Sequence, residues 1–415
     1  MKPQALPRCA LVFSALLACA LNAQSADWTL SRVLQEAATQ HPSVRLRQSE
    51  SRAAEYELDG ARWARYPTLG TELLTTRGGT QAVARLQQPV WTGGRIEGQI
   101  GLATANLSAS TAAVDEARQA IMLEAATAFL ESLRLQARLD AALANEAEHQ
   151  RLGQIIERRV RAEVSPVTDA TQARARLQQA IAERMQFERQ LLSLRANLEQ
   201  IIGQPVLHLR APASIRIDMW NEATLLEAAL QHSPERKRLT AQIDAGQAQI
   251  GVARSVLMPQ VTVGYEHKLG ALANGEDRGR LFLGVNLQPG AGLSSLAGIE
   301  VAAARQQAAR DSLEQHRRQL EQAIRSGWSE AHALALQLEP SRALLNASDE
   351  VVESYLRQFQ VGRKTWLDVL NAQREKTNAR YTLADIEAPL LLARLRLLLL
   401  AGAVRPDALN AIVHD

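Results

Sequence analysis

The chain has 415 residues, so it is long enough for two ordinary domains or for one elongated domain. Its net charge is only +3. Aromatic residues make up 4% of it, while Ala, Leu, Gln, Glu and Arg fill long tracts, which is the composition of long helices and coiled coils. Arg and Glu are interleaved along these tracts, so the sequence has no basic surface typical of nucleic-acid binding, and no nucleic-acid partner is expected.

The N-terminus is typical of a secretory signal. Basic residues precede an apolar run at residues 10–21, and small residues suited to cleavage follow it. We therefore predict that residues 1–26 are a signal peptide. A competing interpretation makes Cys19 a lipidation site. Cys9 and Cys19 are the two cysteines of the chain and both lie in this leader, so removal of the leader as a plain signal leaves a mature protein without a thiol.

Two halves of the chain repeat each other at an interval of roughly 190–200 residues. The segment LQEAATQH at residues 34–41 recurs as LLEAALQH at residues 225–232. Later markers keep the same order, namely Pro42 with Pro234, Pro67 with Pro259, Gln88 with Gln288, Asp169 with Asp368, and Gly203 with Gly402. We predict one unit at residues 27–210, a second at 219–405 and a C-terminal tail at 406–415.

Each unit is predicted to begin with a short helix. Thr29 and Asn221 are suitable N-cap residues at the two starts. Pro42 and Pro234 then break the helices, because proline lacks the N–H group that a continuing helix needs. We expect each helix to resume and to end before a further proline, where extended segments begin.

The extended segments alternate apolar residues with polar or small ones, which predicts strands. The four predicted strands lie at about residues 67–76, 81–91, 260–268 and 280–289. Each has roughly 9–11 residues, the length that crosses a bilayer at a tilt, and the alternation is typical of an outer-membrane barrel. Tyr66 and Trp91 come at the same end of the first hairpin, where we expect an aromatic membrane interface. The alternative is a soluble hairpin packed against helices.

A very long helix is predicted after each hairpin. Residues 98–161 contain no proline and place apolar residues at helical spacing, which predicts a rod of roughly 90–100 Å. The second rod is predicted to start at Leu296 and to be interrupted near Pro340. Each rod ends in a turn, at residues 162–166 or 361–365, and a return helix follows. Apolar seams of this length predict coiled-coil packing.

Four strands cannot close a barrel in a membrane, because unpaired backbone groups in hydrocarbon cost several kcal/mol each. Two copies of the chain would supply eight strands, too few for an open pore, and three copies would supply twelve. The fold we predict is therefore mainly α with a small β part: a homotrimer with a 12-stranded β-barrel and long helices packed as coiled coils.

Two local motifs now give the chain a family resemblance. QPVWTGGR at residues 88–95 closes the first hairpin, and VGRKTWLDVLNAQ at residues 361–373 forms the second helical tip. With the doubled plan, they make residues 27–405 resemble the TolC-like outer-membrane factor family, the exit ducts of efflux pumps and type I secretion systems. The resemblance implies a trimer whose barrel sits in outer-membrane lipid and whose tunnel crosses the periplasm.

The resemblance also implies a gate at the helical tips. Asp368 matches an acidic ring that narrows the family's aperture, and three such carboxylates would repel anions at a narrow mouth. Asn371 stands where some members carry a second ring aspartate, so a weaker electrostatic constriction is expected here.

A latch between neighbouring tips is implied as well. The family joins basic and aromatic groups of one tip to a Thr-Asp pair on the next. Here Thr168 and Asp169 match that pair, opposite Lys364 and Phe359. Phe359 lacks a hydroxyl, so one hydrogen bond of the latch is expected to be absent. Taken alone, the two aspartates are equally typical of helix caps and Lys364 of a solvated turn, and these interpretations stay open.

The partners implied by the resemblance are a periplasmic adaptor (a membrane fusion protein) and an inner-membrane ABC or RND transporter. The second turn is the expected adaptor contact, through Val361, Gly362 and Arg363. For Trp366 the first interpretation is packing, and an adaptor contact is the alternative.

The sequence has no nucleophile–base set, no phosphate-binding loop and no metal-ligand spacing among its eight histidines. We therefore expect no enzyme activity, no cofactor and no metal, and a passive duct in which a partner supplies the energy. Two alternatives of other classes are a soluble periplasmic adaptor and a coiled-coil spacer without a pore.

Overall fold

The computed structural model describes residues 27–76, 79–217, 219–270, 277–404 and 413–414. The predicted signal peptide and most of the predicted C-terminal tail lie outside these residues. The described chain is mainly helical with a small β part, as predicted. None of its described helices combines the length and apolar character that a membrane span requires.

The elements follow one another in the same order in both halves. The first half contains α1 (Leu30–Gln40), α2 (Pro42–Trp63), β1 (Thr68–Thr76), β2 (Gly79–Trp91), α3 (Arg95–Arg161) and α4 (Val167–Ile202). A short strand, β3 (Ser214–Ile215), follows. The second half contains α5 (Glu222–His232), α6 (Pro234–Ser255), β4 (Gln260–Gly270), β5 (Gly279–Asn286), α7 (Ser295–Gln360) and α8 (Trp366–Leu400). A final strand, β6 (Val413–His414), pairs antiparallel with β3.

Local sequence explains how the first helices start and break. The hydroxyl of Thr29 caps α1, and Asn221 and Thr224 form a reciprocal capping box at α5, with hydrogen bonds of 2.8 and 3.0 Å. Pro42 and Pro234 are the first residues of α2 and α6, where the missing N–H has no partner to lose. The predicted caps and breaks are therefore confirmed.

The predicted interruption near Pro340 is wrong, because α7 continues through this residue. A proline inside a helix frees the carbonyl four residues earlier, here that of Leu336. Pro340 and Leu336 are both exposed, so water can bind the freed carbonyl. Just beyond, Arg342 of α7 donates to Glu387 of α8 at 3.0 Å, and the two helices pack along each other. Packing and solvation together outweigh the lost hydrogen bond.

The helix α3 joins the two halves into one body. Its 67 residues span about 100 Å, and it packs against α2 and α4 of its own half and against α6 and α8 of the other half. The largest core surrounds Phe129, which is fully buried with Leu198 of α4 and Leu395 of α8. Burial of such apolar side chains from both halves is the main stabilising contribution to the body.

The four long strands form one antiparallel sheet in the order β1-β2-β4-β5. Their observed limits lie close to the predicted ones, except that β5 ends three residues earlier, at Asn286. Among the described strands, β1 and β5 each pair on one side only. Both edges of the sheet therefore carry backbone groups without a strand partner in this protomer.

Candidate functional site

One face of the sheet, here called the aliphatic face, is apolar and exposed. The register places Leu69, Leu86, Tyr265 and Leu281 opposite one another across all four strands. The exposed side chains on this face are Leu69, Leu73, Leu86, Val263, Tyr265, Leu269, Leu281, Leu283 and Val285. Leu69 is 73% exposed and Leu281 76%. A contiguous exposed apolar surface of this kind marks contact with a membrane or with another protein.

The opposite face, here called the polar face, carries an ion-pair row. Arg85, Glu266 and Arg280 lie opposite one another on β2, β4 and β5. Glu266 is only 6% exposed, and its carboxylate accepts from Arg85 at 3.1 and 3.3 Å, with Arg280 at 3.9 Å. Burying a carboxylate is costly unless cations pair with it, so this row is a fixed part of the sheet.

The two predicted interface aromatics lie where the sheet meets the helices. Tyr66 is 58% exposed between α2 and β1, and Trp91, the last residue of β2, is 47% exposed. The ring of Tyr66 also contacts that of Trp63, with ring centroids 5.2 Å apart. Their role at a membrane interface stays a prediction.

At the other end of the helices, two turns form the helical tips: tip 1 (residues 162–166) and tip 2 (residues 361–365). Tip 2 contains Gly362 with φ of 75°, a left-handed conformation that glycine adopts readily. Tip 1 has Glu163 at the matching position with φ of 58°, the one non-glycine residue with positive φ in the described parts of the chain. A side chain in this conformation stores strain.

Asp368 is tied to the start of its own helix. Its carboxylate accepts from the N–H of Thr365 at 3.0 Å and from the Thr365 hydroxyl at 2.8 Å, and its N–H donates back to that hydroxyl. These hydrogen bonds, and after them the charge of Lys364, lower the pKa of Asp368. Asn371 lies one turn further along α8, and both residues are half-exposed on the same side of the helix.

The predicted latch residues of tip 1 are available for contact. Thr168 is exposed and Asp169 half-exposed in the first turn of α4. The N-cap of this helix is Pro166, whose side chain has no group that can form a hydrogen bond. Within the described part of the protomer, the Asp169 carboxylate forms no ion pair and no side-chain hydrogen bond. The Lys364 ammonium instead lies 4.2 Å from the ring centroid of Tyr355 on α7 of the same protomer.

Phe359 and Trp366 are core residues of the tips. They are 5% and 3% exposed, and their ring centroids lie 5.6 Å apart. Arg159 stacks over Phe359 at 4.7 Å. The remaining buried members of this tip core come from α3, α4 and α8 and are Leu152, Ile156, Ala170, Ala173, Val369 and Leu370. In this arrangement neither ring faces outward, so Trp366 has no surface to offer an adaptor and Phe359 none to offer a neighbouring tip.

The other three expected adaptor-contact residues lie on the surface of tip 2. Val361 is 70% exposed, and Gly362 and Arg363 are also exposed. They form the outermost part of the turn between α7 and α8. Their surface position leaves them free for an intermolecular contact.

Sequence reasoning missed a buried polar cluster, here called the polar layer. The Oδ1 atom of Asn145 on α3 accepts from Gln373 at 3.2 Å and from Thr377 at 2.8 Å, both on α8. All three residues are buried. Nearby, burial and then the positive charge of Arg176 lower the pKa of His149. Because Asn145 lies 228 residues from Gln373, no local pattern links them.

The described residues contain no group of three or more His, Cys, Asp or Glu side chains arranged to hold a metal ion. The features described above are surfaces and ion pairs. They are the two faces of the sheet, its unpaired edges and the two helical tips.

Comparison with known proteins decides the family. The sequence model described as outer membrane efflux protein matches residues 33–204 and again residues 225–403. The chain belongs to the outer membrane efflux protein family. This is a family of transport channels rather than of enzymes.

Other members of the outer membrane efflux protein family align over most of the chain. It is 26% identical over 306 residues to the outer membrane protein TolC of Vibrio cholerae, spanning 68% of this chain and 67% of that protein. It is 28% identical over 325 residues to the protein CyaE of Bordetella pertussis, spanning 73% of this chain and 68% of that protein.

The fold is also that of a solved member. The outer membrane protein VceC of Vibrio cholerae superposes with a TM-score of 0.80 and 18% identity, covering 90% of this chain and 96% of that one. The mainly helical fold with a small sheet, and the relation to outer membrane channels, agree with the resemblance read from the sequence.

Proposed function

We propose that three copies of this chain form a passive duct through the outer membrane, the exit of a tripartite efflux pump or a type I secretion system. One observation carries the proposal: a four-stranded sheet with an exposed aliphatic face and two unpaired edges, β1 and β5. The helices would extend from this sheet as a long coiled-coil α-barrel across the periplasm.

A single copy of the sheet is unstable both in water and in lipid. Its aliphatic face favours hydrocarbon, yet its open edges would each leave a row of backbone groups unpaired there, at several kcal/mol per group. Pairing β5 of one copy with β1 of the next removes both edges. Three copies close a barrel of twelve strands, wide enough for a pore, with the polar face inside. Outer-membrane lipid would surround the aliphatic face, with Tyr66 and Trp91 at its boundary.

The two halves act in this proposal as equivalent units, residues 27–210 and 219–405. Each unit contributes one hairpin to the barrel and one helical tip to the far end. The two matches of the family model and the repeated order of elements support this division. A trimer would then present six tips in a ring.

We place the periplasmic gate at this ring of tips. Asp368 would supply an acidic constriction and Asn371 a neutral polar position beside it. Lys364 of one protomer would pair with Thr168 and Asp169 of the next. The support is electrostatic: inside one protomer the ammonium rests on an aromatic ring and the Asp169 carboxylate lacks a cation. An ion pair between protomers would satisfy both groups.

The same tips would dock on the partners. The exposed residues Val361, Gly362 and Arg363 are the proposed contact with a periplasmic adaptor, which in turn would bind an inner-membrane ABC or RND transporter. The transporter would supply the energy, since the proposed duct is passive.

The alternatives explain less of the chain. A soluble adaptor or a coiled-coil spacer would account for the long helices. Neither needs an exposed aliphatic face with open edges, which in water would promote aggregation.

Disulfide trapping tests the trimer directly, because both cysteines of the chain lie in the predicted leader. Thr71→Cys on β1 would be combined in turn with Leu281→Cys, Leu283→Cys or Val285→Cys on β5, all on the aliphatic face. Within one protomer β1 and β5 are three strand spacings apart, about 14 Å, which is too far for a disulfide. A covalent trimer after oxidation of intact membranes is therefore the expected product.

The four single-cysteine variants are the controls, since none of them can form a ladder beyond a dimer. A chain that fractionates as a free monomer, and that remains monomeric in every double variant, would contradict the duct.

A further inference from the structure

The ion-pair row on the polar face has an uneven distribution of charge. It contains two guanidinium groups, Arg85 and Arg280, and one carboxylate, Glu266. The fourth position of the row, on β1, is Gly70, which adds no side chain. The row therefore carries one net positive charge per protomer. The next row contains Glu72 on β1 and Lys268 on β4, and the backbone N–H of Lys268 donates to the carbonyl of Arg278 at 2.7 Å, so this row also carries one net positive charge.

The two arginines of the row differ in what they do. Arg85 donates two hydrogen bonds to Glu266 and thus neutralises the buried carboxylate. Arg280 is 3.9 Å from the same carboxylate, and its side chain is 69% exposed. A guanidinium has five N–H donors, and at this distance and exposure most of those of Arg280 face open space on the polar face. Arg280 is thus a positive group with donors to offer.

We propose that Arg280, held beside the Arg85–Glu266 pair, forms an anion-binding site on the inner wall of the barrel for carboxylate or phosphate groups of the cargo. The inference rests on the proposed duct, which turns the polar face inward and brings three copies of the row into one ring. The planar guanidinium fork fits carboxylate and phosphate oxygens with two hydrogen bonds.

The buried pair gives this site its geometry. Glu266 sits between the two arginines on the central strand β4, so it orients Arg280 without neutralising the whole row. Exposed ion pairs are weak and screened by salt, so a bound anion would leave again, as conduction requires. The ring would have the opposite sign to the proposed Asp368 ring at the tips.

Block of single channels by inorganic tripolyphosphate tests the site. In a planar bilayer the long polar helices cannot cross the membrane, so they stay in the chamber to which the protein is added. The barrel opening then faces the opposite chamber, and the tripolyphosphate is added there. At low salt we expect side-dependent block of the unmodified channel. In Arg280→Gln the concentration for half-block should rise roughly fivefold or more, because three positive charges leave the ring. The reversal potential in a KCl gradient should shift towards cation selectivity.

Two variants serve as controls. Arg280→Lys keeps the charge and should retain most of the block, while losing some of it because the fork is gone. Arg62→Gln removes an exposed charge of α2, outside the sheet, and should leave the block unchanged. Since the Arg280 side chain is exposed, its replacement leaves the fold intact, and SDS-resistant trimers verify this.

The outcomes distinguish failure of the anion site from failure of the proposed duct. A conducting channel with equal half-block concentrations and equal reversal potentials in the unmodified protein and in Arg280→Gln overturns the anion site alone. A folded preparation that forms no conducting pore overturns the proposed duct and the anion site with it.

Discussion

Thr365 and Asp368 hold each other in a reciprocal hydrogen-bonded pair at the start of α8. The threonine is the N-cap, the aspartate is three residues further on, and each side chain accepts from the other residue's backbone N–H. The carboxylate that matches the family's gate ring is therefore also part of a helix cap. One residue thus couples the local stability of tip 2 to the charge at its surface.

This pair predicts a pH dependence of tip 2. The pKa of Asp368 is lowered in the folded chain, so its stabilising contribution is complete above the pKa of the unfolded chain and is lost as pH falls through the folded value. Thr365→Ala removes the hydroxyl donor and keeps the backbone N–H, so we expect the pKa of Asp368 to rise part of the way towards its usual value. An NMR titration of the Asp368 carboxyl measures this. An unchanged titration in Thr365→Ala would contradict the assignment, and Ser in place of Thr365 should preserve the shift.

Glu163 at tip 1 predicts a stabilising substitution. Its left-handed backbone costs roughly 1–2 kcal/mol for a residue with a side chain, and glycine avoids this at a smaller entropic cost. We expect Glu163→Gly to stabilise the protein by about 0.5–1 kcal/mol. Gly362→Ala is the matched control at tip 2 and should destabilise by about 1 kcal/mol through its φ alone, since a Cβ there meets no atom within 4 Å. Thermal unfolding of both variants would show opposite signs, and equal signs would refute the argument.

Trp366 predicts a large local effect at the tips. Trp366→Ala empties part of the tip core and should cost about 3–5 kcal/mol, whereas Val361→Ala at the exposed turn should change stability by less than about 0.5 kcal/mol. Trp366→Phe should be mild, because the buried indole N–H finds no hydrogen-bond acceptor among the described residues. Hydrogen exchange at residues of tips 1 and 2 should accelerate in Trp366→Ala only. Equal protection in all three variants would rule out a shared core.

The polar layer predicts non-additive substitutions. Asn145→Leu alone removes the main acceptor of the buried Gln373 amide, while the Thr377 hydroxyl can still donate to the Gln373 carbonyl, and should cost roughly 1–3 kcal/mol. Replacing all three by apolar residues of similar size should cost much less, because no polar group is then left unpaired. A mutant cycle tests this: the free energies of unfolding of the three single variants are compared with that of the triple variant. Additive losses would mean that the three groups act independently.

The proposed latch predicts an effect on conduction. Lys364→Ala and Asp169→Ala should each raise single-channel conductance in planar bilayers, because the tips lose an ion pair between protomers. The charge swap Lys364→Asp with Asp169→Lys should restore the low conductance. If the swap conducts like the single variants, the two residues do not pair.

Much of the architecture follows from local sequence patterns. Pro42 and Pro234 stop and restart helices, and period-two alternation marks the strands, because each depends on residues only a few positions apart. Pro340 shows where local reasoning fails. Its helix continues because solvent and the neighbouring helix α8 compensate for the missing N–H, and no local pattern contains that information.

The sequence by itself determined the type and order of the long elements and the family to which the chain belongs. Only the tertiary structure decided which side chains meet. It placed Trp366 in a core shared by both tips, joined Asn145 to Gln373 across 228 residues, and placed Arg85 against Glu266 across 181. The physical reason is the separation along the chain of the residues that interact. Helix caps and strand alternation depend on neighbours along the chain, whereas burial and ion pairing depend on how distant segments pack.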